Sequence, residues 1–131
     1  METFDILKSY DWGFVWETIE SVEGYFPYVL ECNDDKIFIF YVKESPDTSE
    51  GTKWDIYFKK SYDLGDTWEE EELAIEDVLF GCVSAIQLHD NVIILAFWQD
   101  DEGENKSMIS RSYDDGVTWE TPVEIGGEST V

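Results

Sequence analysis

One short segment recurs three times along the chain, and its spacing restricts the available folds more than any other feature. The copies read Ser61-Tyr62-Asp63-Leu64-Gly65-Asp66-Thr67-Trp68, then Ser112-Tyr113-Asp114-Asp115-Gly116-Val117-Thr118-Trp119, and with one departure Ser9-Tyr10-Asp11-Trp12-Gly13-Phe14-Val15-Trp16. They start at residues 9, 61 and 112, which sets them 52 and 51 residues apart. Self-similarity at a fixed period of this size belongs to solenoids and propellers, in which each repeat is one supersecondary unit unable to bury its apolar face alone.

Strand-like residues lead into the copies, Trp54-Asp55-Ile56-Tyr57-Phe58 and Ser107-Met108-Ile109-Ser110-Arg111, and an acidic segment follows, so the octapeptide has to reverse the chain between antiparallel strands. Gly13, Gly65 and Gly116 hold the same place in all three, where a hairpin loop requires a positive φ. Asp11, Asp63 and Asp114 lie two residues earlier, the offset from which a carboxylate accepts hydrogen bonds from backbone N–H groups of its own turn. Ser61 and Thr67, with Ser112 and Thr118, add hydroxyls to that network. The closing Trp16, Trp68 and Trp119 are expected to return toward the sheet and bury a large ring.

The pattern Ser-x-Asp-x-Gly-x-Thr-Trp resembles the Asp-box, or BNR repeat, of sialidases and related β-propellers. The second and third copies match at every defined position; the first keeps Ser9, Asp11, Gly13 and Trp16 but has Val15 in place of Thr. The resemblance implies a structural hairpin lying away from the active-site face, hence no catalytic or metal-binding role for these aspartates. It implies a fold that hosts many activities, not one activity.

Working outward from the octapeptides gives ten expected strands: 3–8, 16–21, 27–32, 36–43, 53–60, 68–75, 82–88, 91–99, 106–111 and 119–125. With the strands of a blade lettered A to D from the channel outward, the resemblance places the octapeptide between C and D. Residues 22–75 then form one four-stranded blade, 77–125 another, and 3–21 the C and D strands of a third. Leu30 aligns with Ile86 and Cys32 with Leu88, and Ile37-Phe38-Ile39-Phe40 falls near Val92-Ile93-Ile94-Leu95, segments apolar on both faces as in a sheet sandwiched between neighbours. The expected fold is all-β: a partial β-propeller of about two and a half antiparallel blades. Closed propellers have about four to eight. The ring is therefore expected to be completed by homo-oligomerisation, most simply a two-fold dimer; the competing reading is a fragment of a longer propeller.

Charge narrows the partners. Eight basic against 31 acidic residues give a net charge of −23, and Arg111 is the single arginine. Such a field repels nucleic-acid phosphate and anionic lipid, and favours cations, basic partners or plain solubility. No run of 18 apolar residues occurs, and Met1-Glu2-Thr3-Phe4-Asp5 lacks a signal-peptide layout, so a soluble and by default cytoplasmic protein is expected. Cys32 and Cys82 are expected to be free thiols.

The face opposite the octapeptides is built from residues 21–27, 44–53, 76–81 and 99–106. It offers acids and aromatics, among which Tyr25, Trp54, Asp77, Trp98, Asp100 and Glu102 are the candidates for binding a carbohydrate or protein ligand; Glu23, Phe26, Asp47, Phe80 and Glu104 lie nearby. Sialidases, by the resemblance, hold the substrate carboxylate with three arginines and attack with a Tyr–Glu pair. One arginine cannot form that clamp, and Arg111 directly precedes an octapeptide, so no catalytic residue is assigned. Hydrolysis of a neutral glycan needs two carboxylates roughly 5–10 Å apart, and nothing selects a pair among 31 acids. His89 is the sole histidine, in a short turn, and zinc-type Cys/His spacing is absent. Asp100-Asp101-Glu102-Gly103-Glu104-Asn105 alone groups several oxygens around a glycine as Ca²⁺ would require, without fitting an EF-hand; no metal or cofactor is expected. The leading reading is a non-enzymatic, self-assembling propeller with a binding or scaffold role. The alternative is a fragment or subunit of a sialidase-like glycoside hydrolase, and a third is a purely structural assembly unit.

Overall fold

The computed structural model describes residues 2–46, 53–78, 83–101 and 104–127, and among these every element is an antiparallel β-strand. β1 (Thr3–Ser9) and β2 (Trp16–Glu23) form a two-stranded sheet. β3 (Tyr25–Glu31), β4 (Ile37–Glu44), β5 (Trp54–Ser61) and β6 (Glu72–Val78) form a four-stranded meander. β7 (Val83–Gln87), β8 (Ile93–Asp101), β9 (Glu104–Ser112) and β10 (Val123–Gly127) repeat it. In both meanders the octapeptide joins the third strand to the fourth, and in the first sheet it joins the only two. The protein is a partial propeller: one half-blade and two complete blades.

Register relates the blades residue by residue. Ser61 pairs with Ile37 and Ser112 with Ile93. Ile37 thus corresponds to Ile93, which fixes a register that the sequence left approximate. A single residue matters here because a slip of one exchanges the two faces of a strand. Phe38, Phe40 and Phe58 of the second blade correspond to Ile94, Ala96 and Ile109 of the third.

The core lies between sheets. Phe38, Phe40, Val42, Ile56 and Phe58 on one side meet Ala85, Ile93, Leu95 and Phe97 on the other. A second cluster joins Ile6 and Val22 of the half-blade to Ile39 and Tyr41 of the second blade, with Trp68 packed against it. β4 is buried on both faces because it serves both clusters, and hence reads as a continuous apolar run.

The three hairpins share one set of bonds. Leu64 and Gly65 have φ of 59° and 91°, and the Asp66 N–H reaches the Asp63 carbonyl at 3.4 Å, the geometry of a type I′ turn. Trp12 with Gly13, and Asp115 with Gly116, take the same pair of positive φ values. The residue before each glycine is left-handed too, which the sequence reading did not anticipate. Ser61 Oγ accepts from the Gly65 N–H at 2.8 Å and donates to Asp63 Oδ1 at 2.8 Å. Asp63 accepts in turn from the Thr67 N–H at 2.9 Å and the Thr67 hydroxyl at 2.7 Å. Ser112, Asp114 and Thr118 repeat the pattern. Asp11 accepts from Ser9 and the Val15 N–H, but Val15 offers no hydroxyl.

Each closing indole donates to the carbonyl of its own glycine at 2.9–3.1 Å. Their burial differs. Trp119 stands edge-on to Phe40 and Phe58 of the blade before it, at 6.0 and 6.1 Å between centroids, whereas Trp16 is 58% exposed. The expectation of three buried tryptophans therefore fails for Trp16, because the ring packs on the preceding sheet and the half-blade has none in this chain. The fourth strands also start later than expected, at Glu72 and Val123. Glu69 and Glu120 each make one backbone bond, to Lys60 and Arg111, before the chain leaves the ladder.

Hydroxyl and amide donors hold the Asp63 carboxyl down to about 2, the Thr67 hydroxyl foremost. A folded-state value below the unfolded one adds stability above about pH 4 that is lost as the pH falls through about 2. Thr67→Val is expected to raise the Asp63 titration midpoint, followed by NMR of the carboxyl carbon; an unmoved midpoint contradicts the assignment. Gly116→Ala is expected to destabilise more than Gly13→Ala in urea unfolding. A Cβ at 116 would lie 3.1 Å from Phe58 and 3.2 Å from Phe38, while one at 13 meets only Trp16 at 3.6 Å. The overpacking adds about 1–3 kcal/mol to the backbone strain the two share.

Candidate functional site

The ends of the strands remote from the octapeptides carry the aromatic and acidic residues singled out above. At the start of β3 the Tyr25 ring meets Trp54, the first residue of β5, edge-on at 5.5 Å, and Phe26 at 6.2 Å. Trp54 pairs with Val78 at the end of β6, which brings Asp77 to the same rim. Tyr25, Trp54 and Asp77 thus come together on the second blade. Phe26 has φ of 55° and is 55% exposed; Asp77 has φ of 59°. Both sit at register irregularities, one in β3 between Tyr25 and Tyr28 and one between β5 and β6. The buried Asp55 steadies the second by accepting from the Asp77 N–H at 3.0 Å. The result is an aromatic edge beside a carboxylate, suited to stacking on an apolar or sugar face.

Trp98 does not join this group. It lies on β8 of the third blade, half-buried and paired with Ser107. Asp100 pairs with Asn105 across β8 and β9. Glu102, Asp47, Phe80 and Cys82 lie outside the described residues. Among the described residues no three His, Cys, Asp or Glu side chains converge as metal ligands would. His89 is exposed in the turn after β7, and the buried free thiol of Cys32 is pushed up to about 11 by burial.

Arg111 sits beside Ser112, at the octapeptide end and so away from the aromatic rim. Its Nε donates to Glu120 Oε2 at 3.0 Å, and that carboxylate raises the guanidinium further above its ordinary value. A tyrosine–glutamate pair that sequence reasoning missed does exist: Tyr41 donates to Glu71 Oε1 at 2.5 Å, and Lys43 donates to Glu71 Oε2 at 2.8 Å. The partners are 30 residues apart, with no local signal to link them. Tyr41 is wholly buried, and desolvation followed by the Glu71 bond pushes its phenol far above its usual range. Tyr41 thus belongs to the core, while Glu71 and Lys43 are partly exposed at its margin.

An apolar cavity of about 390 Å³ opens between the half-blade and the second blade, lined by Ile6, Leu7, Trp16, Val29, Ile39 and Trp68. Gly13 and Leu64 with Gly65 bring the first and second hairpins to its wall as well.

No protein-family model and no curated protein matches the chain. Among solved structures it is similar to the sialidase NanB, described in complex with optactamide. The likeness is 25% identity and a TM-score of 0.59, over 91% of this chain and 19% of that one. It is also similar, at 20% identity and a TM-score of 0.49, to a protein of unknown function from Dyadobacter fermentans, over 76% of this chain and 35% of that one. The chain thus spans well under half the length of either. The NanB likeness agrees with the sheet topology in showing a sialidase-like β-propeller fold. No helix among the described residues is long and apolar enough to cross a membrane.

Spectrophotometric titration of phenolate at alkaline pH is expected to leave one tyrosine un-ionised until unfolding, and Tyr41→Phe to remove that delayed signal. A phenol raised in the folded state adds stability below about pH 10 that is lost as the pH rises further. Tyr41 ionising with the exposed tyrosines would contradict the buried pairing.

Proposed function

We propose that this chain is a non-catalytic, wall-forming unit of a sialidase-like propeller. Its ring is completed by blades from outside these 131 residues, a second copy being the simplest source, and its octapeptide-distal rim takes a carbohydrate or protein ligand. The observation that carries the first part is the state of Arg111. The sialidase resemblance implies three guanidiniums around the substrate carboxylate; here the one guanidinium is tied to Glu120 at the opposite end of the strands. The net charge of −23 opposes an anionic sugar as well.

Support for the ligand rim is the clustering of Tyr25, Phe26 and Trp54 beside Asp77, with Phe26 in a backbone conformation that side chains rarely adopt. Strained positions of this kind concentrate where a side chain is presented to a partner. A second reading, a segment of a longer sialidase-like hydrolase, is favoured by the 19% of NanB that the chain spans. There further sequence of the same polypeptide would close the ring.

A fluorogenic sialoside is expected to remain intact with the purified chain, and turnover abolished by Arg111→Ala would overturn the wall reading. Light scattering across micromolar concentrations is expected to give a multiple of the 15.2 kDa chain mass. A monomer throughout would leave closure to further sequence. Trp54→Ala is expected to abolish any quenching of tryptophan fluorescence by a glycan panel.

A further inference from the structure

Successive blades are held by one repeated contact, in which each hairpin seats on the blade before it. Lys8 of the half-blade donates to Asp66 in the second hairpin at 2.8 Å, and the Tyr10 hydroxyl donates to the same carboxylate. Lys60 of the second blade reaches the Asp115 carbonyl in the third hairpin at 3.4 Å, and Lys36 donates to the Asp115 carboxylate at 2.8 Å. Gly116 lies flat against Phe38 and Phe58, and Trp119 covers Phe40 and Phe58. A cation just before the octapeptide and an apolar sheet face form the seat. An indole and a cation-binding loop form the part that fills it.

Each half of this contact occurs once without its match. On the outer face of the third blade Ile86 is 54% exposed where its counterpart Leu30 is 8%, and Leu88 is 37% exposed where Cys32 is 8%. Ile94, Ala96 and Ile109 are half-buried where Phe38, Phe40 and Phe58 are fully buried. Arg111 occupies the position of Lys8 and Lys60. At the other end, the first hairpin presents Trp12 at 98%, Phe14 at 85% and Trp16 at 58% exposure.

We propose that the first hairpin of one copy seats on the outer face of the third blade of a second copy, head to tail, with Arg111 lying against its aromatic rings. The side chains at the contact change together. Phe14 stands where the second hairpin has Asp66, and Trp12 where the third has Asp115. The loop therefore offers ring faces in place of carboxylates, and the waiting cation is arginine in place of lysine. A planar guanidinium stacks on aromatic rings where an ammonium pairs with acids. An apolar contact with no added carboxylate also suits two bodies that each carry −23. The contact is heterologous, so it propagates into a ring or an open filament and differs from a self-complementary two-fold patch. It rests on the reading that blades from outside the chain complete the ring.

The test uses full-length chains altered on one side only: Trp12→Ser with Phe14→Ser to blunt the hairpin, and Ile86→Glu to block the seat. All three positions are exposed, and circular dichroism checks that the strands persist. Each variant alone is expected to be monomeric by light scattering, and an equimolar mixture to form a one-to-one dimer, since each retains the half the other lacks. Arg111→Lys in the otherwise unaltered chain is expected to weaken association about two- to fivefold. Added salt is expected to strengthen association by screening the repulsion between copies. A wild-type chain that associates while both variants associate equally well overturns this interface and leaves the ring-completion reading standing. A monomeric wild-type chain overturns this interface together with closure between copies, and leaves closure to further sequence.

Discussion

The arrangement of sheets depends on a serine hydroxyl that does two things at once. In each hairpin it accepts from the glycine N–H and donates to the aspartate, and the aspartate then gathers the amide two residues past the glycine. Two consecutive left-handed residues are thereby tied to both strand ends. The loop becomes a rigid projection and not a slack connection. Rigidity matters because the indole at its end has to reach a specific place on another sheet. Without a fixed loop that contact would have to overcome the entropy of ordering the segment as well as desolvate it.

The network explains which features were legible in the sequence. Gly13, Gly65 and Gly116 could be placed at positive φ, and the aspartates assigned to their own turns, because both effects act within eight residues. Tyr25, Trp54 and Asp77 could be expected at one rim because strand ends are set by the same repeats. Burial of the tryptophans was another matter. Trp16, Trp68 and Trp119 close the same turn with the same indole-to-glycine bond, and their exposure is decided by whether a preceding sheet is present. The match of Ile37 to the Val92–Ile93 stretch stayed approximate for a related reason. β4 and β8 are apolar on both faces, so no alternation marks the register, and only the pairing of Ser61 and Ser112 sets it. Tyr41 with Glu71 joins positions 30 apart, at a distance that no periodicity reports.

Charge is distributed in keeping with this division of labour. Among the described residues Lys8, Lys36, Lys43, Lys59, Lys60 and Arg111 each pair with a carboxylate, and the contacts of Lys8, Lys36 and Lys59 join different sheets. Partly exposed pairs of this sort add little stability one by one. Their value is in selection: the acidic loop of a following blade fits beside a lysine, while the remaining acids repel other approaches. With 31 acids and eight cations, pairing is a scarce resource, and half of the six pairs named here stand at sheet-to-sheet contacts.

The two ends of the strands are consequently free to serve different purposes. At the octapeptide end, buried aromatics, tied loops and paired cations hold sheet against sheet, and a change there disturbs neighbouring blades through direct contact. At the far end, Phe26 and Asp77 sit in irregular stretches of strand, and Asp55 supports the backbone from beneath without reaching solvent. Substitutions on that rim alter a surface and leave the seats between blades untouched. A propeller segment can therefore vary that rim while its sheets stay packed against one another. This is the physical reason why a fold recognised from its hairpins says so little by itself about chemistry at the opposite face.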